Sequence, residues 1–408
     1  SVVAMYKRRC RRRRLLLFGG SVVALASMAL ASVALASSEC AWVRRFNETQ
    51  ARLFEASRRR VIVVRPHKLA GLGNRLNAIR AGFVLAAKTG SLLALDYDEP
   101  AASRLRPNVV RWDPQEWSRF ELTREKKSRV LRMPRSAAQF EAQFPTPESL
   151  FPAGATGHVV LAGWNADVTA ALEGQAWRFE DDDDVRGRDV CAASALFSKT
   201  AAFEEELSKA RGAAVLGAGL HLRTNREFAD EKYVASRLEQ RRRKRPAAAL
   251  EESCDDRRCW RAVVSRFRAC AAALLDDEES PWFVASDDQA LVDGIQAELP
   301  HRVVALGSED RAHSGLARPN ASVAGPLLDL FLLASARAFV GTAGSSFSAH
   351  VLAFGGAATT SRMAGLLFRT PFLKGPSPLD PYVAPLPASD ADAAALCREL
   401  SLGRALSM

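Results

Sequence analysis

The chain has 408 residues, 48% of them hydrophobic and 25% charged, which is enough for two domains at about 150 residues each and excludes disorder of the whole. Its net charge of +11 suggests a nucleic-acid binder until the charges are located. Lys7, Arg8, Arg9 and Arg11 to Arg14 put seven of them in the first fourteen residues; the remainder carries 50 basic against 46 acidic residues, or +4, with no aromatic platform beside its arginines.

In chain order, residues 1–14 read as a basic cytosolic tail and Leu15 to Ser37, uncharged throughout, as a transmembrane signal anchor able to cross ~30 Å of hydrocarbon. Arginines ahead of it place the remaining chain in the lumen. Small residues around Ala34 and Ala36 leave a cleaved signal peptide as the alternative, and both readings lead into the secretory pathway. Cys40, Cys191, Cys254, Cys259, Cys270 and Cys397 are then disulfide candidates of open pairing, since their spacing suits no zinc site. Asn47 and Asn320 head two glycosylation sequons.

Residues 38–60 read as a polar stem. The body then opens with a βαβ unit: Arg60 to Val64 as a buried strand, Arg75 to Lys88 as a helix, Ser91 to Leu95 as the next strand. A second series of apolar runs follows at 214–222, 282–285, 302–306 and 338–340, separated by helical stretches as in a doubly wound sheet. The boundary falls between residues 198 and 211. The charge runs at 180–184 and 241–245 read as solvated loops.

Four segments carry candidate chemistry. Gly71, Gly73, Asn74 and Arg75 lie between a strand and a helix, where glycines permit a tight turn and expose amide N–H groups to an anion; the plainer reading is a turn with Asn74 as helix cap. His221 and Arg223 close an apolar strand, and ligands of open α/β sheets sit at strand carboxyl ends, where a guanidinium fork suits a diphosphate. Asp287 and Asp288 end another strand, either facing a ribose or base or capping the next helix. Gly341 to Ser348, with Gly344, Ser345, Ser346, Phe347 and Ser348, describes a phosphate cradle without the lysine of a nucleoside triphosphatase. Asp96 and Asp98 form a short Asp-x-Asp, the weaker alternative of a metal-held sugar nucleotide.

Taken in order, Gly71-Leu72-Gly73-Asn74-Arg75-Leu76, His221-Leu222-Arg223, Ser286-Asp287-Asp288 and Asp329-Leu330 through Ser348 resemble the fucosyltransferase superfamily that includes α1,2-, α1,6- and protein O-fucosyltransferases. The resemblance spans about residues 61–355. It implies a GT-B-like α/β fold of two Rossmann-like domains facing a cleft, an acceptor-side domain at 61–205 and a GDP-fucose-binding domain at 206–408. It implies Arg223 and Asn74 at the reacting centre. Gly71, Gly73, Arg75, His221, Asp287, Asp288, Gly344, Ser345, Ser346, Phe347 and Ser348 would then line the donor. No metal or other cofactor is implied; the partners are GDP-fucose, a glycan or glycoprotein acceptor and the Golgi membrane, with no nucleic acid. Thr224, Asn225 and Arg226 after the strand-end arginine depart from the α1,6 pattern. His67, Glu227 and Asp230 are candidates for the base that receives the acceptor proton. The rival readings are a luminal transferase using another sugar nucleotide and a catalytically silent glycan-binding scaffold of the same fold.

Overall fold

The computed structural model describes residues 41–56, 60–66, 71–95, 104–107, 128–132, 137–151, 157–163, 197–212, 215–223, 257–275, 279–304, 306, 324–358, 364–369 and 383–401. The chain divides into residues 1–45 and 46–408, and of the first unit only 41–45, the start of a helix, are described. The span expected at 15–37 lies outside the described residues, and among the described residues no helix is long and apolar enough to cross a membrane.

The second unit is mixed α/β and is built on two parallel sheets. Helix α1 (Ala41–Glu55) leads into β1 (Arg60–Pro66), α2 (Leu72–Thr89) and β2 (Leu92–Leu95). Next come β3 (Leu105–Pro107), β4 (Ser128–Arg132), α3 (Ala137–Gln143), α4 (Pro147–Leu150) and β5 (Gly157–Gly163). The first sheet runs β2-β1-β5-β4, all parallel. Val61 to Val64 and Leu92 to Leu95 are buried on both faces, which is why these strands read as unbroken apolar runs.

The segment read as a polar stem is a correction. From Phe46 to Glu55 it belongs to the body: Phe46 meets Phe83 with ring centroids 4.5 Å apart, and Leu53 and Phe54 pack on Val61, Val63, Leu92 and Ala94. Most of its polar residues lie on the exposed face, but Gln50 is buried and bonds the sheet, donating to the Ser91 carbonyl at 2.7 Å and accepting from the Leu93 N–H at 2.7 Å. Asn47 is exposed on this helix, whereas Asn320 lies outside the described residues.

Strand β6 (Phe197–Lys199) pairs antiparallel with β3 and leads into α5 (Ala201–Arg211), capped by the Thr200 hydroxyl. The second sheet follows: β7 (Ala218–Leu222), α6 (Arg257–Leu274), β8 (Trp282–Ser286), α7 (Gln289–Glu298), β9 (Val303–Val304), α8 (Ala324–Ala334), β10 (Ala338–Thr342), α9 (Ser346–Ala358), β11 (Ala364–Arg369), β12 (Val383–Pro385) and α10 (Asp390–Ser401). Strands β7 and β9 are shorter than the apolar runs that announced them.

The order β12-β11-β10-β7-β8-β9 positions the site. From β7 the chain winds outward through β8 to β9, then returns to lay β10 against the other side of β7 and winds the opposite way. The reversal opens a crevice at the carboxyl ends of β7 and β10, where open α/β sheets take their ligands. Beneath it lies a core of Leu220, Phe267, Val284, Val340 and Phe368, where burying each large side chain contributes about 2–3 kcal/mol. Cys270 of α6 and Cys397 of α10 form a buried disulfide in this core. Cys40, Cys191 and Cys254 lie outside the described residues.

Candidate functional site

The strand β7 carries His221 near its end, and Arg223 is the first residue after it. The His221 ring is buried, with Nδ1 2.7 Å from Ser348 Oγ and its centroid 4.8 Å from that of Phe347. Burial, reinforced by the charge of Arg223, lowers its pKa to about 3 and keeps the imidazole neutral. Thr342, at the end of β10, ties the two strand ends together. Its hydroxyl accepts from the Arg223 N–H at 3.0 Å and donates to the His221 carbonyl at 3.1 Å.

The Arg223 guanidinium takes its direction from Asp287, Nη1 lying 3.3 Å from Oδ2, with only 16% and 4% of the two side chains exposed. A planar fork with five N–H donors can hold this carboxylate and a second anion together. Asp288 has the local role weighed for it: its carboxylate accepts from the Leu291 N–H at 3.4 Å as N-cap of α7. The two neighbouring acids thus serve different ends.

After β10 the chain turns through Gly344, whose φ of +79° is a conformation that glycine adopts without strain. Ser345 N–H closes the turn onto the Thr342 carbonyl at 3.3 Å, and α9 starts at Ser346. At any helix start the first N–H groups find no acceptor within the helix, and the dipole adds about half a positive charge.

A second helix begins beside it. Gly71 is the N-cap of α2, in extended conformation, and Arg75 N–H bonds its carbonyl at 3.1 Å. Gly73 has no room for a side chain: a Cβ there would lie 2.6 Å from both Phe347 N and Ser346 Oγ. The Ser346 hydroxyl donates to Asn74 Oδ1 at 3.0 Å, and one turn further on His350 Nε2 lies 2.9 Å from Asn77 Oδ1. Residue numbers rise together along the contact, so the two helices run side by side in the same sense and present both amino ends at one place. Arg75 and Arg80 of α2 are buried nearby in sequence, 3% and 6% exposed. Two like dipole ends repel unless an anion lies between them, and the arrangement is therefore suited to a group with several negative oxygens.

The residues anticipated from sequence thus meet in groups. Gly73 and Asn74 meet Ser346 and Phe347, with Gly71 capping their helix; His221 meets Phe347 and Ser348; Arg223 meets Asp287; Gly344 and Ser345 shape the turn. Arg75 is carried on α2 in the same first turn. His67, Glu227, Asp230, Asp96 and Asp98 lie outside the described residues, among which no three His, Cys, Asp or Glu gather as they would for a metal. Sequence reading missed Asn77 and His350, although each follows a recognised position, Asn74 and Ser346, by one helical turn. It also missed Thr342 as an individual contributor.

No family model matches this chain, and neither does any curated protein. Solved structures similar to it include a mutant of Arabidopsis thaliana FUT1 in complex with GDP, 11% identical, with a TM-score of 0.48 over 84% of this chain and 79% of that one. POFUT1 in complex with GDP-fucose is 15% identical, with a TM-score of 0.43 over 76% of this chain and 98% of that one. Fucosyltransferase NodZ from Bradyrhizobium is 15% identical, with a TM-score of 0.38 over 72% and 92% of the two chains.

Proposed function

We propose that the chain is an inverting, metal-independent fucosyltransferase that moves fucose from GDP-fucose to a hydroxyl of a glycan or glycoprotein. The observation that carries the donor half of this reading is the contact of the α2 and α9 amino ends, with the Arg223 N–H bonded to Thr342 at the end of the strand that leads into α9. Together they offer dipoles, hydroxyls and a guanidinium to a diphosphate. That the sugar is fucose rests on the resemblance of the motifs.

In this reading the acceptor oxygen attacks the anomeric carbon as the bond to the β-phosphate oxygen breaks, and GDP departs with the bonding electrons. Negative charge grows on the phosphate in the transition state, and donors already aimed at it contribute most there, without reorganising. Arg223 is the principal one, oriented beforehand by Asp287, while Ser346 and Asn74 fix the two helix starts relative to each other. Neutral His221 adds no competing charge and holds Ser348. The acceptor proton passes to a base not yet assigned or to the departing phosphate. Residues 61–205 would face the acceptor and 206–408 would hold the donor, with the chain anchored in the Golgi membrane by 15–37 and its body luminal.

The test is GDP release by the purified chain given GDP-fucose and mixed glycan acceptors in the presence of chelator. Chelator-resistant turnover lost in Arg223→Ala is expected. Turnover only with another sugar nucleotide would replace the donor, and absence of both turnover and GDP binding would leave a glycan-binding scaffold.

A further inference from the structure

Behind the residues that would touch a donor lies a second contact between the same two helices. His350 is 4% exposed, one turn along α9 from Ser346, with Nε2 2.9 Å from Oδ1 of Asn77, which stands one turn along α2 from Gly73. Burial and the neighbouring Arg80 charge hold its pKa down at about 3, against the opposing pull of a backbone hydrogen bond to Gly73. A side chain on the same glycine would meet Phe347 N at 2.6 Å. A single contact point, Asn74 with Ser346, would let the helices pivot about it. A second, one turn away, removes that freedom.

We propose that His350 and Asn77 are positioning residues: a buried clamp that holds the amino ends of α2 and α9 at the separation at which both act on one diphosphate. The proposal rests on the donor site described above. Its physical basis is the steep distance dependence of what the helix ends offer. Dipole stabilisation fades within a turn, an N–H···O bond weakens beyond about 3.2 Å, and a misplacement of about 1 Å at a reacting centre costs up to about a hundredfold in rate. Neither side chain needs to touch substrate for its loss to be felt there.

The experiment compares the whole chain with its His350→Ala, His350→Gln and Asn77→Ala variants. Hydrogen–deuterium exchange of peptides covering 72–80 and 345–353 is followed without ligand, and GDP affinity by calorimetry. Faster exchange in both peptides and affinity lower by about tenfold are expected for His350→Ala and Asn77→Ala. His350→Gln, whose amide still donates to Asn77, should restore most of both. Unchanged exchange in either peptide of a folded variant, or His350→Gln behaving like His350→Ala, overturns the clamp. If His350→Ala does not fold, Asn77→Ala carries both readouts. If the wild type binds no GDP, the donor reading falls, and the ligand-free exchange still decides for or against the clamp.

Discussion

Replacing Gly73 by alanine adds one methyl group at the narrowest point between the two helix starts. That carbon would meet Phe347 N at 2.6 Å, Ser346 Oγ at 2.6 Å and Ser346 C at 2.9 Å, where ordinary contact begins near 3.4 Å. Rotating the serine side chain relieves only one of the three, because the others are backbone. The amino end of α9 must therefore retreat by about 0.8 Å, with an overpacking cost of about 1–3 kcal/mol. Alanine in a helix recovers up to about 1 kcal/mol, leaving a net loss of up to about 3 kcal/mol. Gly294 of α7 is the control, since a methyl group there meets nothing within 4 Å and Gly294→Ala should gain stability by up to about 1 kcal/mol. Urea melts of both variants read the opposite signs, and calorimetry should find GDP affinity lower by about tenfold in Gly73→Ala alone. A Gly73→Ala protein as stable as Gly294→Ala, binding GDP as the wild type does, would refute the argument that the two helix ends are in contact.

Further outcomes concern the titration of the buried imidazoles and the disulfide. His221 and His350 have folded pKa values lowered to about 3 from 6.5, so between those values the unfolded chain holds protons that the folded one does not. Stability should accordingly fall as pH drops from about 6.5 toward 3, by up to about 1.4 kcal/mol per pH unit for each histidine. His350→Gln should lessen this slope in urea melts taken from pH 7 to pH 4; an unaltered slope would contradict the buried neutral state. The Cys270–Cys397 bond joins positions 127 residues apart, and its loss in a Cys270→Ala, Cys397→Ala double variant should cost about 2–5 kcal/mol, read as a lower thermal midpoint. An unchanged midpoint would mean that α10 is held by packing alone.

The apolar cores of the strands were legible because burial on both faces demands unbroken runs such as Val61 to Val64 and Ala338 to Val340. The Gly344 turn and the helix behind it were legible because the requirement is local: a residue free to take positive φ, then a helix start. What escaped was decided at long range. Asp287 could be assigned to Arg223 only once β7 and β8 were known to be neighbours with Leu222 opposite Ser286. Asp288, with the same chemistry one residue later, faces its own helix instead. Cys270 and Cys397 carry no spacing that announces a bond across 127 residues. Gly73 reads as a turn glycine, yet the close neighbours that exclude a side chain there are Ser346 and Phe347, more than 270 positions away.

The two hydrogen bonds of Gln50 bear on how the protein can be handled. Among the described residues strand β2 is the outer strand of the first sheet, and an open strand edge is a template on which another chain can add. Ser91 and Leu93 are alternate residues, so their peptide groups point to the same side, and the Gln50 amide meets both as a neighbouring peptide would. One side chain thus acts as a short substitute strand. A recombinant fragment begun at residue 60, where the first strand starts, would leave that edge bare together with the apolar surface covered by Phe46, Leu53 and Phe54. Such a fragment would tend to associate with itself through β2, whereas one begun ahead of Ala41 keeps the edge closed.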